Sequence, residues 1–152
     1  YLWQAGFFEK PVLFLSSYFK KYQHIYYEKI NGYHDGEVIP WIDFFLDGVI
    51  EIANEAIETV EKITVLRERD IQKIQKLGTR ASESASEILP KLYGQPVVNT
   101  ALIQKWTGFT RAGSQRVVDR FVDMEILFPK NKDSNYGQSY AYSDYLKIFQ
   151  DS

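Results

Sequence analysis

Cysteine is missing from this 152-residue chain, which excludes disulfides, thiol nucleophiles and Cys-ligated zinc together. That fits a reducing cytoplasm, the compartment expected for it. Histidine is nearly as scarce. His24 and His34 have no second pair of ligands at useful spacing, so both read as loop or surface residues and not as a metal site. No apolar run approaches the roughly twenty residues of a membrane span, and no secretory leader is visible. Excess charge of one sign is lacking too: 18 basic against 20 acidic residues leave a net charge of −2. Such a balance argues against a chain that seeks polyanions in general. Methionine occurs once, at Met124, and position 1 is Tyr. The sequence is therefore expected to be a fragment whose missing part holds the chemistry.

What is present is ample for a core. Hydrophobic residues make up 45%, with 11 Tyr and 10 Phe concentrated in the first fifty positions. The most organised stretch runs from Asn99 to Leu127, NTALIQKWTGFTRAGSQRVVDRFVDMEIL. Asn99 is placed to cap a helix whose Leu102, Ile103 and Trp106 share a face. Thr107-Gly108 stops that helix, because glycine tolerates the left-handed conformation of a tight turn. Thr110 then caps a second helix. There Val117, Val118, Phe121 and Met124 recur at helical spacing, leaving Arg111, Gln115, Arg116, Asp119 and Arg120 toward water. Gly113 and Ser114 sit where the two helices would cross.

Ile126-Leu127-Phe128 reads as a short strand, the polar stretch PKNKDSNYGQ from Pro129 to Gln138 as a turn-rich tip, and Ser139 to Tyr142 as the returning strand. Upstream, a helix from Glu83 to Leu92, capped by Ser82 or Ser84, faces Ala85, Ile88, Leu89 and Leu92 inward. Val97-Val98 gives a minimal third strand. This order is the winged helix-turn-helix plan. The fold class is mainly α: a helical bundle remnant with one long helix, then a small winged helix-turn-helix domain with a two- or three-stranded wing.

The N-terminal half reads as helices. Tyr1 to Phe8 looks like the tail of one. Pro11 opens another, running to Lys21, with Val12, Leu13, Leu15, Tyr18 and Phe19 on one side. A short helix from Gln23 turns Ile25, Tyr26 and Ile30 inward and ends at Asn31-Gly32, before a turn at Asp35-Gly36. From Pro40-Trp41 a long helix runs toward Leu77, with Leu46, Val49, Ala53, Ala56, Val60 and Ile63 as a seam for another helix. Straight, it would span about 55 Å. The charged run RERDIQKIQK, from Arg67 to Lys76, reads as a solvated face, with self-association as the sharper alternative. Gly78 and the small polar stretch TRASESAS mark the expected boundary between domains 1–78 and 79–152.

Three segments of the first half carry a resemblance. Pro11-Val12-Leu13-Phe14-Leu15-Ser16-Ser17-Tyr18-Phe19, then Tyr26-Tyr27, then Trp41-Ile42-x-Phe44-Phe45-Leu46-x-Gly48-Val49 resemble, in this order, the C-terminal helices of Fic ("filamentation induced by cAMP") proteins. A winged-helix-like domain often ends such chains. The resemblance implies an intact protein that transfers AMP from ATP, with Mg, to a protein hydroxyl. The family's catalytic loop, opening His-Pro-Phe and closing Gly-Asn-Gly-Arg, is absent here. No catalytic, cofactor or metal residue is therefore carried over. The fragment is expected to be non-catalytic and to supply scaffold and partner or target recognition.

Two other readings stay open. Arg111, Gln115, Arg116 and Arg120 have side chains that reach base edges and phosphates, and Lys130 and Lys132 on the wing can clamp a phosphate, as in a regulator of double-stranded DNA. Yet from Thr110 to Glu125 the three arginines are matched by Asp119, Asp123 and Glu125, and Asp119 is spaced to pair with Arg116. A helical dimerisation module, a homodimer through the long helix, is the third reading. Asp43 and Asp47 lie one turn apart, but without a partner His or a nucleophile they read as solvated. The aromatic cluster around Trp41 reads as core.

Overall fold

The computed structural model describes residues 15–130 and 137–150. Tyr1 to Phe14, including the proposed start at Pro11, and Lys132 on the wing lie outside the described residues. The chain divides into two compact units, Tyr1–Val60 and Glu61–Ser152. The division falls inside the long helix and not at Gly78, the boundary that the sequence suggests.

In the first unit, α1 (Leu15–Lys21) and α2 (Gln23–His34) precede the opening half of α3 (Val38–Gln75). Their core is aromatic. Tyr18, Phe44 and Ile52 are buried, with Leu15, Phe19, Tyr22, Tyr26 and Trp41 packed around them. Gly48 is required for this packing: a Cβ there would lie 2.6 Å from the Tyr18 ring, closer than carbon atoms approach. Three expectations are corrected. The second helix continues through Asn31-Gly32 to His34, and Ile25 is 40% exposed. The seam shifts as well, since Leu46 and Val60 are exposed while Phe44, Gly48 and Ile52 face inward. The aromatic rings of α1 and α2 select a face of α3 that a count of aliphatic residues misses. Asp43, Asp47, His24 and His34 are exposed, as expected.

The second unit is built from the tail of α3, α4 (Thr79–Gly94), β1 (Val97–Asn99), α5 (Thr100–Thr107), α6 (Arg111–Asp123), β2 (Phe128–Pro129), β3 (Ser139–Ala141) and α7 (Ser143–Ile148). The strands form an antiparallel sheet in the order β1-β3-β2, with Val97 opposite Ala141 and Phe128 opposite Ala141 on its other edge. This is a winged helix-turn-helix with a three-stranded wing sheet. Both caps form: Asn99 Oδ1 accepts the Leu102 amide at 2.8 Å and Thr110 Oγ1 the Gly113 amide at 3.2 Å. Gly108 takes the left-handed turn at φ 71°. The helix α4 begins earlier than expected, at Thr79. Its Ser84 hydroxyl does not cap but donates back to the carbonyls of Arg80 and Ala81.

Where the sequence reads a strand at Ile126-Leu127, the chain instead closes α6. The amides of Ile126 and Leu127 donate to the Phe121 carbonyl at 2.9 and 3.0 Å, and Glu125 takes φ 53° to allow it. A residue in the left-handed region one step past the cap, with its neighbour bonded back across the last turn, is a Schellman closure. Ile126 and Phe121 are both buried, which supplies the hydrophobic contact that accompanies this motif. Ser114 is buried at the helix crossing, as expected. Gly113 is only half-buried, with room for a methyl group beside Phe109 and Thr110.

The second unit also contains a charge that the sequence places in water. Within the run RERDIQKIQK, Asp70 is fully buried. Tyr142 Oη donates to its Oδ2 at 2.5 Å, and Arg69 Nε donates to its Oδ1 at 2.9 Å. Arg69 also reaches Asp144 at 3.0 Å, while Lys73 lies 4.0 Å from Asp70 and donates to the Met124 carbonyl at 2.7 Å. Burial, and then the Asp70 carboxylate, push the Tyr142 hydroxyl well above the ordinary phenol range. Burial likewise raises Tyr93, whose hydroxyl makes no hydrogen bond of good geometry among the described residues. A buried carboxylate persists only when its oxygens are bonded. Here the tail of α3 and the residue after β3 satisfy each other across 72 positions of chain.

Candidate functional site

The helix α6 is amphipathic by necessity. Val117, Val118 and Phe121 enter the core and Ser114 sits at the crossing, which leaves a limited arc for recognition. At 100° per residue, Ala112, Asp119 and Asp123 fall within about 40° of one another, and all three are exposed. They form the outward ridge. Arg111 and Gln115 lie on one flank of it, Arg116 and Arg120 on the other. The four candidates on α6 therefore do not share one flank.

On the first flank, Arg111 and Gln115 border an open cleft of about 490 Å³ together with Asn99, Thr100, Gln104, Gln138 and Tyr140. Gln115 is not available there. Its Oε1 accepts from the Thr100 hydroxyl at 2.7 Å, and its Nε2 donates to Asp119 at 2.8 Å and reaches Tyr140 at 3.5 Å. Gln115 thus ties α5, α6 and β3 together, and its exposure in the sequence reading is corrected to half-buried. The pairing of Asp119 with Arg116 does not form; Asp119 Oδ1 accepts from Gln115 instead. Lys130 is exposed at the base of the wing, its backbone amide bonded to the Ser139 carbonyl at 2.9 Å.

No family model matches this chain, and no curated protein does either.

On the second flank, Arg116 and Arg120 line a smaller cleft of about 240 Å³ against α4. Arg80, Ser84, Phe109 and Gly113 complete its wall, with Val117 among the lining residues. Sequence reasoning missed two of these. Arg80 lies in the small polar stretch that marks the expected domain boundary, and Phe109 lies in the turn and is 40% exposed. Among the described residues, no carboxylate forms an ion pair with Arg80, Arg111, Arg116 or Arg120. These guanidinium groups therefore retain their hydrogen-bonding capacity for a ligand. No group of three or more His, Cys, Asp or Glu among the described residues is placed to hold a metal ion, and no helix among them is long and apolar enough to cross a membrane.

Proposed function

We propose that this chain is the C-terminal, non-catalytic part of a Fic-type protein AMP-transferase, acting in the cytoplasm, and that its winged-helix unit selects a partner or target protein. One observation supports this reading most. The residues that carry the resemblance, far apart in sequence, meet in a single aromatic cluster. Tyr18 and Phe19 from the first segment, Tyr26 from the second and Trp41 and Phe44 from the third lie with ring centroids 5.0–6.2 Å apart. Gly48 of the third segment accommodates the Tyr18 ring. The segment spacing thus encodes a packing scaffold, which is the part this chain contributes. In the intact protein, with Mg present, a Ser, Thr or Tyr hydroxyl of the target would attack the α-phosphorus of ATP at the loop that this sequence lacks. The new O–P bond to AMP would form as the α–β phosphoanhydride breaks, and pyrophosphate and the hydroxyl proton would leave.

A protein partner fits the second unit better than a duplex. The ridge of α6 carries Asp119 and Asp123, and carboxylates at that position repel phosphates. The test is to incubate the full-length gene product with ATP labelled at the α-phosphate and follow label on protein. Transfer that requires the upstream loop supports the reading; a gene product without that loop, or without transfer, overturns it.

A duplex reading has one observation in its favour: Arg111 stands with Gln104 and Gln138 at the polar cleft between α5, α6 and the wing. It requires salt-dependent binding weakened by Arg111→Ala. The dimer reading draws on Ile42, Leu46, Ile50 and Ile57, all exposed on α3. Light scattering that gives a monomer at high concentration removes it.

A further inference from the structure

We propose that the cleft between α4 and α6 docks an acidic segment of a partner protein, with Arg80, Arg116 and Arg120 as its carboxylate ligands and Phe109 as its apolar contact. This rests on the reading of the winged-helix unit as a partner-binding module and is independent of AMP transfer.

The cleft concentrates charge in a chain that has none to spare. Acidic residues outnumber basic ones overall, yet three of the lining residues are arginines and none is acidic. Arg116 and Arg120 stand one turn apart on α6, and Arg80 faces the same space from the first turn of α4. A guanidinium is a planar fork that binds carboxylates through two parallel hydrogen bonds, and it stays charged at every relevant pH. Three forks with no ion pair among the described residues, set around one space, favour a ligand with several carboxylates.

Size and apolar content narrow the partner further. At about 240 Å³ the cleft is smaller than the roughly 300–1,000 Å³ of a small-molecule site, but it suits one or two side chains of a peptide. Phe109 is 40% exposed beside the arginines, and Val117 is among the lining residues. An apolar residue between acidic ones would therefore find both kinds of contact. Gly113 lines the cleft without adding a side chain to its wall. A DNA backbone would have to approach Arg116 and Arg120 past the neighbouring Asp119 and Asp123, whereas a peptide can lie between α4 and α6 without crossing that ridge.

The experiment uses the whole chain and a short fluorescein-labelled peptide of alternating Glu and Leu, followed by anisotropy and by amide NMR. Binding should shift the resonances of Ser84, Phe109 and Gly113. It should weaken about tenfold in Arg116→Glu and by a similar factor in Arg80→Glu. Arg111→Glu, on the opposite flank, should change it less than about twofold. All three residues are exposed, so the variants should keep the parent melting temperature. The proposal is overturned if the peptide does not bind, if Arg111→Glu weakens it as much as Arg116→Glu, or if a Gln-and-Leu peptide binds equally well. It is also overturned if a mixed-sequence duplex binds and loses affinity in Arg80→Glu, which would assign the cleft to nucleic acid. No arm contains ATP, so failure here leaves AMP transfer untouched. Failure of AMP transfer likewise leaves peptide binding as it is.

Discussion

Replacing Tyr142 with Phe removes one oxygen atom and little else. The Tyr142 ring stacks on Tyr145 at 5.6 Å and packs against Tyr93 at 5.9 Å, and a Phe ring keeps both arrangements. What disappears is the hydrogen bond to Asp70 Oδ2. Arg69 and Lys73 both approach Oδ1, so Oδ2 would remain buried with no partner among the described residues. A hydrogen bond to a charged group contributes about 1.5–3 kcal/mol, and the upper half applies when the orphaned atom cannot reach water. With a urea m-value of about 2 kcal/mol/M, the midpoint should fall by about 1 M. Circular dichroism during urea titration at neutral pH measures it. The double variant Asp70→Leu with Tyr142→Phe should lose less than the two single losses combined, because neither polar partner is then orphaned. A midpoint shift below about 0.3 M in Tyr142→Phe, or simple additivity in the double variant, would refute the claim that these two groups satisfy each other.

The same pair predicts an alkaline signature. Burial and Asp70 raise the Tyr142 pKa above its ordinary value of 10.0. Folding therefore favours the protonated phenol. Its contribution is complete below the unfolded-state pKa and is lost as pH rises above it, by about 1.4 kcal/mol per pH unit for each such group. Wild-type stability should decline above pH 10, and Tyr142→Phe should decline less steeply, with Tyr93 still contributing.

Other substitutions probe the remaining structure. Gly48→Ala should destabilise by about 1–3 kcal/mol, because its methyl would meet the buried Tyr18 ring; a stabilised variant, as helix propensity alone predicts, would contradict the packing. Glu125→Gly should stabilise by about 1 kcal/mol, since Glu125 holds a left-handed φ that glycine adopts without strain; a lower melting temperature would count against the closure described at Ile126. Ser114→Ala should be neutral or stabilising by up to about 1 kcal/mol, as its buried hydroxyl has no hydrogen-bond partner among the described residues. A clear loss in urea would show that the hydroxyl is bonded after all.

Much of the second unit was legible because its signals are local. Asn99, Gly108 and Thr110 act within a few residues of themselves, and Val117, Val118 and Phe121 follow a single period. The errors came where distant partners decide. Asp70 reads as solvated because its ligand Tyr142 is far along the chain, and Gln115 reads as a recognition residue because Thr100 and Tyr140 engage it only in the folded unit. The short strand was misplaced because a helix closure and a strand start both use buried aliphatic residues. Arg80 escaped notice since its significance depends on facing Arg116 and Arg120. The six-residue helix α7 follows no signal that the sequence reading used.

The bond between Asp70 and Tyr142 determines where this protein can be divided. Gly78 looks like a natural cutting point, with a helix break followed by small polar residues. A winged helix excised there would leave behind Leu66 and Ile74 of its core and expose an unpaired tyrosine hydroxyl. Any gene fusion, transplant or evolutionary shuffling that carries this winged-helix unit into another protein must take the tail of α3 with it. The heritable module begins inside a helix.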